Sequence, residues 1–251
     1  MDGQRKLLGL IGFPLKHSFS QRYFTEKFNR LGLSGLEYRN FEMENISALP
    51  LMMENHKDLI GFNVTIPYKE AVLDFMDEIE TEARIIGAVN VVRIDRSKGF
   101  PRLSGYNTDR IGIDITLNQW DLPTGIKAMV LGTGGSSKAV THQLASRGIP
   151  YLQVSRKSSP TAISYAELTP AMIHDHKLLI NCTPVGMYPD PGNKLPLAWS
   201  ALTSDHFLFD LIYNPDMTGF LREGLEHGAS IQNGLRMLHE QAEASWHIWA
   251  P

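Results

Sequence analysis

Short runs of β-branched residues and leucine alternate with longer amphipathic stretches along the whole chain. That alternation restricts the fold to βαβ units carrying a mostly parallel sheet. The period-2 or continuously apolar runs predict strands near Leu7–Gly12, Glu37–Glu42, Leu59–Thr65 and Ala88–Ile94 in the first half, with a further short run at Leu103–Gly105. Helical periodicity predicts helices over Gln21–Leu31 and Lys69–Ile79. A second series follows, with strands at Lys127–Leu131, Tyr151–Ser155, Leu178–Asn181, Phe207–Leu211 and Ala229–Gln232. With 251 residues the chain has enough length to give each series its own core. The helix-like DRIGIDITLNQW and the turn-rich DLPTG put the boundary between the series around Asp109. In the last stretch Leu235, Leu238, Ala242, Trp246 and Trp249 share one helical face, so the C-terminal helix is expected to pack, folding back onto the first half.

Strand Lys127–Leu131 runs directly into Gly132-Thr133-Gly134-Gly135-Ser136-Ser137 and then into a helix-like stretch. Such a glycine-rich turn between a strand and a helix suits a pyrophosphate: the first glycine permits the tight turn, and the next lets backbone N–H groups approach the anion at the positive end of the helix. Dinucleotide folds that take NAD place an acid on the ribose 2′-OH roughly 20 residues further on. Here the end of the next strand reads Ser155-Arg156-Lys157-Ser158, with no acid among them. A guanidinium, an ammonium and two hydroxyls suit a 2′-phosphate, which points to NADP.

The bulk properties narrow the partners. A formal charge of −3 gives no basic field for nucleic acid. No apolar run approaches the roughly 18 residues of a membrane span, and the N-terminal stretch is broken by glycine and proline, so a cytoplasmic chain is expected. The single cysteine, Cys182, follows the apolar run KLLIN and reads as an inert core thiol. The histidines show no ligand spacing, so no metal site is expected.

Three segments of the first half set polar residues just beyond apolar strands, where open α/β sheets gather their ligand groups. In Gly12–Ser20, an extended loop would point Ser18 and Ser20 the same way, toward a carboxylate; equally, Ser20 could be the N-cap of the helix after it. In Asn63-Val64-Thr65-Ile66-Pro67-Tyr68-Lys69, the proline suits the opening of a helix and would put Lys69 in its first turn, where a cation is electrostatically disfavoured and so hints at function. Asp109 closes the third, Gly105–Asp109, and is either a functional carboxylate or a helix N-cap.

Taken in order, these segments resemble the shikimate dehydrogenase family. The resemblance rests on the Ser18/Ser20 loop, N-V-T-x-P-x-K at Asn63–Lys69, G-A-V-N at Gly87–Asn90 and N-T-D at Asn107–Asp109. It continues through G-x-G-G-x-S at Gly132–Ser137, N-x-T-x-x-G-M at Asn181–Met187, Y-N-P at Tyr213–Pro215 and N-G-x-x-M-L-x-x-Q at Asn233–Gln241. It implies an α/β fold of two domains with a cleft between them: an N-terminal α/β substrate domain, 1–109 and 235–251, and a Rossmann-like NADP-binding domain, 110–234. Ser18, Ser20, Thr65, Asn90, Asp109, Tyr213 and Gln241 would bind shikimate or 3-dehydroshikimate, and Lys69 with Asp109 would be the catalytic pair. Gly132, Thr133, Gly134, Gly135, Ser136, Ser155, Arg156, Lys157, Ser158, Leu211 and Gly234 would hold NADP. The implied activity is NADP-dependent interconversion of 3-dehydroshikimate and shikimate. Quinate or dual-substrate use is the alternative within this class, and a ligand-binding homologue without catalysis the alternative outside it. The chain departs from the family at Arg110, where glycine is usual, at Ser155, where asparagine is common, and at Thr81, between Glu80 and Glu82, where an acid tends to stand.

Overall fold

The computed structural model describes residues 5–15 and 18–250; Lys16 and His17 of the Gly12–Ser20 segment lie outside the described residues. In chain order the elements are β1 (Lys6–Gly12), α1 (Phe19–Arg30), β2 (Leu36–Glu42), α2 (Leu49–Asn55), β3 (Leu59–Val64), β4 (Glu78–Ile79), α3 (Thr81–Ile86), β5 (Val91–Asp95), β6 (Arg102–Tyr106) and α4 (Asp109–Leu117). They continue as β7 (Ala128–Leu131), α5 (Gly135–Ser146), β8 (Tyr151–Ser155), β9 (Ile163–Ser164), α6 (Pro170–Asp175), β10 (Leu178–Asn181), β11 (Phe207–Asp210), α7 (Gly219–Glu226), β12 (Ser230–Gln232) and α8 (Leu235–Trp249). The strands form two six-stranded sheets, β2-β1-β3-β5-β6-β4 and β12-β11-β10-β7-β8-β9. The chain divides into two compact units, Met1–Thr108 with Ala242–Pro251, and Asp109–Gln241.

Unit 1 is mixed. β1 pairs in parallel with β2 and β3, whereas β5 runs antiparallel to both β3 and β6. β1 lies inside the sheet and is buried on both faces, which is why it reads as an unbroken apolar run. Leu7 and Ile11 enter one hydrophobic cluster with Phe62, Val64 and Val72, while Leu8 and Leu10 enter another with Phe24, Phe28 and Trp249. The end of α8 closes this second cluster: the Trp249 indole donates to Val92 O at 3.0 Å, across Gly61, where a Cβ would lie 2.4 Å from the indole nitrogen. Of the apolar stripe expected on α8, Ala242 and Trp249 are buried but Leu235 is exposed; Met237, Gln241 and Ser245 complete the covered face instead.

The helix expected over Lys69–Ile79 does not form. A 3₁₀ turn, Ala71–Phe75, is followed by β4, which pairs with β6. Val72 is buried and Leu73, Phe75, Met76 and Ile79 all pack against the same cluster, more apolar groups than one stripe of a surface helix accommodates. Asp77 then ties the chain to the sheet edge: its N–H donates to Leu103 O at 3.0 Å and its carboxylate accepts from Leu103 N at 2.7 Å. Lys69 therefore stands in a turn ahead of the 3₁₀ segment, with no helix dipole on it.

Unit 2 is the parallel, doubly wound sheet the sequence predicts, with every pairing from β12 to β9 parallel. β7 and β10 are buried throughout, and Met129, Leu131, Val154, Leu179 and Leu208 make the core with Phe220 and Leu221 of α7.

Candidate active site

In unit 1 the carboxyl ends of β1 and β3 are laced together. Phe13 N donates to Ile66 O and Thr65 N to Ile11 O, both at 3.0 Å. A Cβ on Gly12 would lie 2.4 Å from the Thr65 methyl and 2.9 Å from Ile66 O, so this crossing requires glycine. Val64 N donates to Asn90 O and Val89 N to Lys69 O, both at 2.8 Å. These four bonds set Thr65, Lys69 and Asn90 on adjoining backbone near the carboxyl end of β3.

Ser18 and Ser20 are not the alternating pair of an extended loop. α1 starts at Phe19, so Ser18 is its N-cap residue and Ser20 lies within the first turn. The Ser18 hydroxyl caps nothing; it is buried with no hydrogen-bond partner among the described residues. Such an orphan costs about 1–3 kcal/mol unless something else accepts its proton, and a ligand oxygen is one solution.

Ser20 begins a buried polar chain. Its hydroxyl hydrogen-bonds the Tyr38 oxygen, and Tyr38 donates to Asn63 Oδ1 at 2.8 Å. Asn63 Nδ2 donates to Ser245 Oγ at 3.1 Å and to Asn90 O at 3.3 Å. Ser245 shares a hydrogen bond of 3.1 Å with Thr108 Oγ, and Asn90 takes Thr108 N on its Oδ1 at 2.7 Å while giving Nδ2 to Thr108 Oγ at 3.0 Å. Burial pushes the Tyr38 hydroxyl well above its ordinary range, so it stays a donor. The chain thus fixes two expected substrate residues, Ser20 and Asn90, through Tyr38, Asn63, Thr108 and Ser245. Asn63 and Thr108 stand in the N-V-T-x-P-x-K and N-T-D motifs but were given no role from sequence, and Tyr38 and Ser245 were not singled out, because each reads alone as an ordinary polar residue.

Asp109 is the first residue of α4 and is buried, with 4% of its surface exposed, so it is not the flanking cap residue. Asp109 and Gln241 are the first and last residues of unit 2. Gln241 is also buried, and its Nε2 donates to Leu238 O at 3.1 Å.

In unit 2 the glycine-rich turn opens α5 as the motif requires. Gly132 has φ +113°, a conformation that L side chains rarely adopt, and its carbonyl accepts Gln153 Nε2 at 2.9 Å. Gly134 is different. It caps α5 with φ −81°, which any residue can take, and a Cβ there would meet nothing within 4 Å. No contact inside the protein demands glycine at 134, whereas close approach of a ligand to the backbone would. Thr133 is exposed, and Gly135 and Ser136 open the helix.

At the end of β8, Arg156, Lys157 and Ser158 are exposed. Both hydroxyls of this segment are already spent within the chain. Ser155 Oγ donates to Lys157 O at 2.5 Å, and Ser158 Oγ donates to the Glu167 carboxylate. Charge contact with a phosphate therefore falls to Arg156 and Lys157.

A second network holds the loops beyond β10 and β11. Asn181 and Asp210 end these strands in register and are wholly buried. Asn181 Nδ2 donates to Asp210 Oδ1 at 3.0 Å, and Asn181 Oδ1 accepts Thr183 N at 2.9 Å and Thr183 Oγ at 2.7 Å. Asp210 also accepts Ile212 N at 3.0 Å and Thr218 Oγ at 2.6 Å. Desolvation raises its carboxyl from 3.8 to about 6 against the pull of these donors. The network sets the course of Leu211 and of half-buried Tyr213. Leu211 lies against Gly234, where a Cβ would come within 2.1 Å of Leu211 O, and Gly234 N donates to Ile212 O at 3.0 Å. The signal missed in the sequence was an amide and a carboxylate each closing an apolar strand run. Cys182, next to Asn181, is half-buried rather than a core thiol.

Comparison with known proteins points to one family. The family model described as "Shikimate dehydrogenase substrate binding domain" matches residues 10–92. A curated relative from Carboxydothermus hydrogenoformans, named shikimate dehydrogenase (NADP(+)), is 36% identical over 99% of this chain and 93% of its own length. Among solved structures, shikimate 5-dehydrogenase from Thermus thermophilus in complex with NADP(H) and shikimate is 30% identical, covers 98% of this chain and 93% of its own, and has a TM-score of 0.85. Shikimate dehydrogenase 1 from Peptoclostridium difficile is 37% identical, with 97% and 91% covered and a TM-score of 0.82.

Proposed function

The chain belongs to the shikimate dehydrogenase family, and from that premise we propose that it catalyses the reversible, NADP-dependent reduction of 3-dehydroshikimate to shikimate, with Lys69 and Asp109 as its catalytic pair. The observation that carries the reading is the buried chain from Ser20 to Thr108. It spends six polar residues on fixing Ser20, Asn90 and the position immediately before Asp109. A fold needs no such network to be stable, since replacing buried polar groups by apolar ones of the same shape is nearly neutral.

Ser18, Ser20, Thr65, Asn90, Tyr213 and Gln241 bind the ring acid. Ser18, with a buried hydroxyl and no acceptor among the described residues, supports a carboxylate at that end. The turn from Gly132 to Ser136 receives the pyrophosphate, Arg156 and Lys157 the 2′-phosphate, and Leu211 and Gly234 border the cofactor. The substrate-binding part is proposed to comprise residues 1–109 and 235–251, and the cofactor-binding part residues 110–234.

When bound, the reduced nicotinamide supplies a hydride to the C3 carbonyl carbon. As negative charge develops on the carbonyl oxygen, the Lys69 ammonium stabilises it and then donates a proton, while the Asp109 carboxylate holds the ammonium on that oxygen. In the oxidative direction Lys69 takes the proton from the C3 hydroxyl.

Absorbance at the reduced-nicotinamide band, followed with shikimate or quinate and with NADP or NAD, tests the activity; no change with any pair refutes it. Lys69→Ala is expected to lower kcat by about 10²–10⁴-fold, with shikimate binding changed by only a few-fold. Turnover near wild type would remove Lys69 from the mechanism.

A further inference from the structure

The sequence leaves the end of β8 without the acid that NAD-binding folds place there, but the fold brings one back. Glu167 closes the short 3₁₀ turn Tyr165–Glu167 that follows β9. Its carboxylate accepts the Ser158 hydroxyl, together with Ser164 N at 2.8 Å and Ser164 Oγ at 2.6 Å. Three donors from two serines hold its carboxyl down at about 2, so Glu167 is an anion at every working pH. Like Arg156, Lys157 and Ser158 it is exposed, and the bond from Ser158 sets its carboxylate beside the end of that segment.

A serine hydroxyl has one proton to give. While Ser158 gives it to Glu167, it can donate nothing to a 2′-phosphate. A phosphate oxygen that takes that proton must displace the carboxylate or sit beside it. With O–H···O contacts of roughly 2.7 Å, two acceptors on one hydroxyl lie about 4–5 Å apart. Two anions at that separation repel, and at an exposed site the repulsion is screened by salt. NAD carries a neutral 2′-hydroxyl in place of the phosphate and feels no such opposition.

We propose that Glu167 sets cofactor selectivity: it opposes the 2′-phosphate that Arg156 and Lys157 attract, so the chain separates NADP from NAD less sharply than its basic pair alone would. This rests on the placement of the 2′-phosphate against Arg156 and Lys157, and the experiment separates the two. KM for NADP and for NAD is measured in shikimate oxidation at low and high salt, with Kd for NADPH and NADH from their fluorescence. The proteins are wild type, Glu167→Gln, Arg156→Ala, and Ser158→Ala in both the wild-type and Glu167→Gln backgrounds.

Glu167→Gln is expected to lower KM and Kd for the phosphorylated cofactor three- to tenfold at low salt, with the gain fading at high salt. Values for the other cofactor should stay within twofold. Ser158→Ala should change little in wild type, where its proton is committed, and should cancel part of the gain in Glu167→Gln. Arg156→Ala should weaken NADP at least tenfold and NAD hardly at all. If Arg156→Ala is selective but Glu167→Gln weakens NADP, leaves it unchanged or shifts both cofactors equally, Glu167 is only a staple for its loop and the proposal fails. If Arg156→Ala is not selective, the phosphate binds elsewhere and the proposal falls with the placement beneath it.

Discussion

Asparagine at position 210 isolates the cost of burying the Asp210 carboxylate. The side chain is 0% exposed, and desolvation raises its pKa from 3.8 to about 6. Because the folded state holds this proton more tightly than the unfolded chain, the linkage runs opposite to that of a salt-bridged aspartate. The penalty is absent below about pH 4, develops between pH 4 and pH 6, and is complete above that window. A rise of about 2 pKa units at 1.36 kcal/mol per unit amounts to ~3 kcal/mol. Asparagine keeps the shape and does not titrate. Its Oδ1 still accepts from Ile212 N and Asn181 Nδ2, and its Nδ2 faces Thr218 Oγ, which already accepts from Leu221 N and can accept again.

The assay is urea unfolding of wild type and Asp210→Asn from pH 4 to pH 7. Other titrating groups cancel in the difference between the two proteins, because burial and neutral hydrogen-bond donors, not a charged side chain, set the titration of Asp210. The stability difference should move by about 2.5 kcal/mol in favour of the asparagine protein between pH 4 and pH 7, whatever its constant offset. A difference that stays flat, or that moves toward wild type as pH rises, would show that this carboxylate is not held in a desolvating site.

Two glycines make a contrasting pair: Gly134→Ala is expected to raise KM for NADP at least tenfold with unchanged stability, since its Cβ meets open space, whereas Gly234→Ala should lower stability by about 2 kcal/mol or more, as its Cβ would stand 2.1 Å from Leu211 O. Equal loss of stability in both, by urea unfolding, would contradict the idea that only Gly134 is kept for a ligand. Ser245→Ala removes the hydroxyl between Asn63 and Thr108 and should cost about 1–3 kcal/mol of stability. It should also raise KM for shikimate several-fold with KM for NADP unchanged; an equal rise in both would mean the buried chain does not serve the substrate side specifically.

Periodicity revealed the parallel sheet of unit 2 almost whole, because βαβ units carry both the strand and the helix signal in contiguous sequence. It failed where long-range partners decide. The stretch from Lys69 to Ile79 has apolar residues enough for a helix, but Leu103 hydrogen-bonds Asp77 from across the sheet and the segment ends as an edge strand. Ser18 and Ser20 were recognised as a pair, yet their geometry depended on α1 starting at Phe19, a matter of one or two residues that propensity does not resolve. The glycine-rich turn was legible because its chemistry lies in consecutive residues. The opposition between Glu167 and Ser158 was not, because it needs the loop from Arg156 to Ala162 to fold back first.

The same principle separates ligand groups from scaffolding among the polar residues that crowd the carboxyl ends of these strands. Asn181, Asp210, Ser155 and Ser18 are alike in sequence as polar residues at or just beyond apolar runs, though only Ser155 and Ser18 were expected to touch a ligand. Their hydrogen bonds divide them. Asn181 and Asp210 are wholly buried and bonded to each other and to the loops around them, so their effect on a ligand can only be indirect, through the position of Leu211 and Tyr213. Ser155 has given its proton to a carbonyl two residues away and serves to shape the turn that presents Arg156. Ser18 has a buried hydroxyl with no described acceptor, and Gly134 has open space where a side chain would stand. A fold under selection for stability alone would satisfy the first and fill the second, so unspent bonding capacity and unfilled space mark where binding happens more reliably than polarity does.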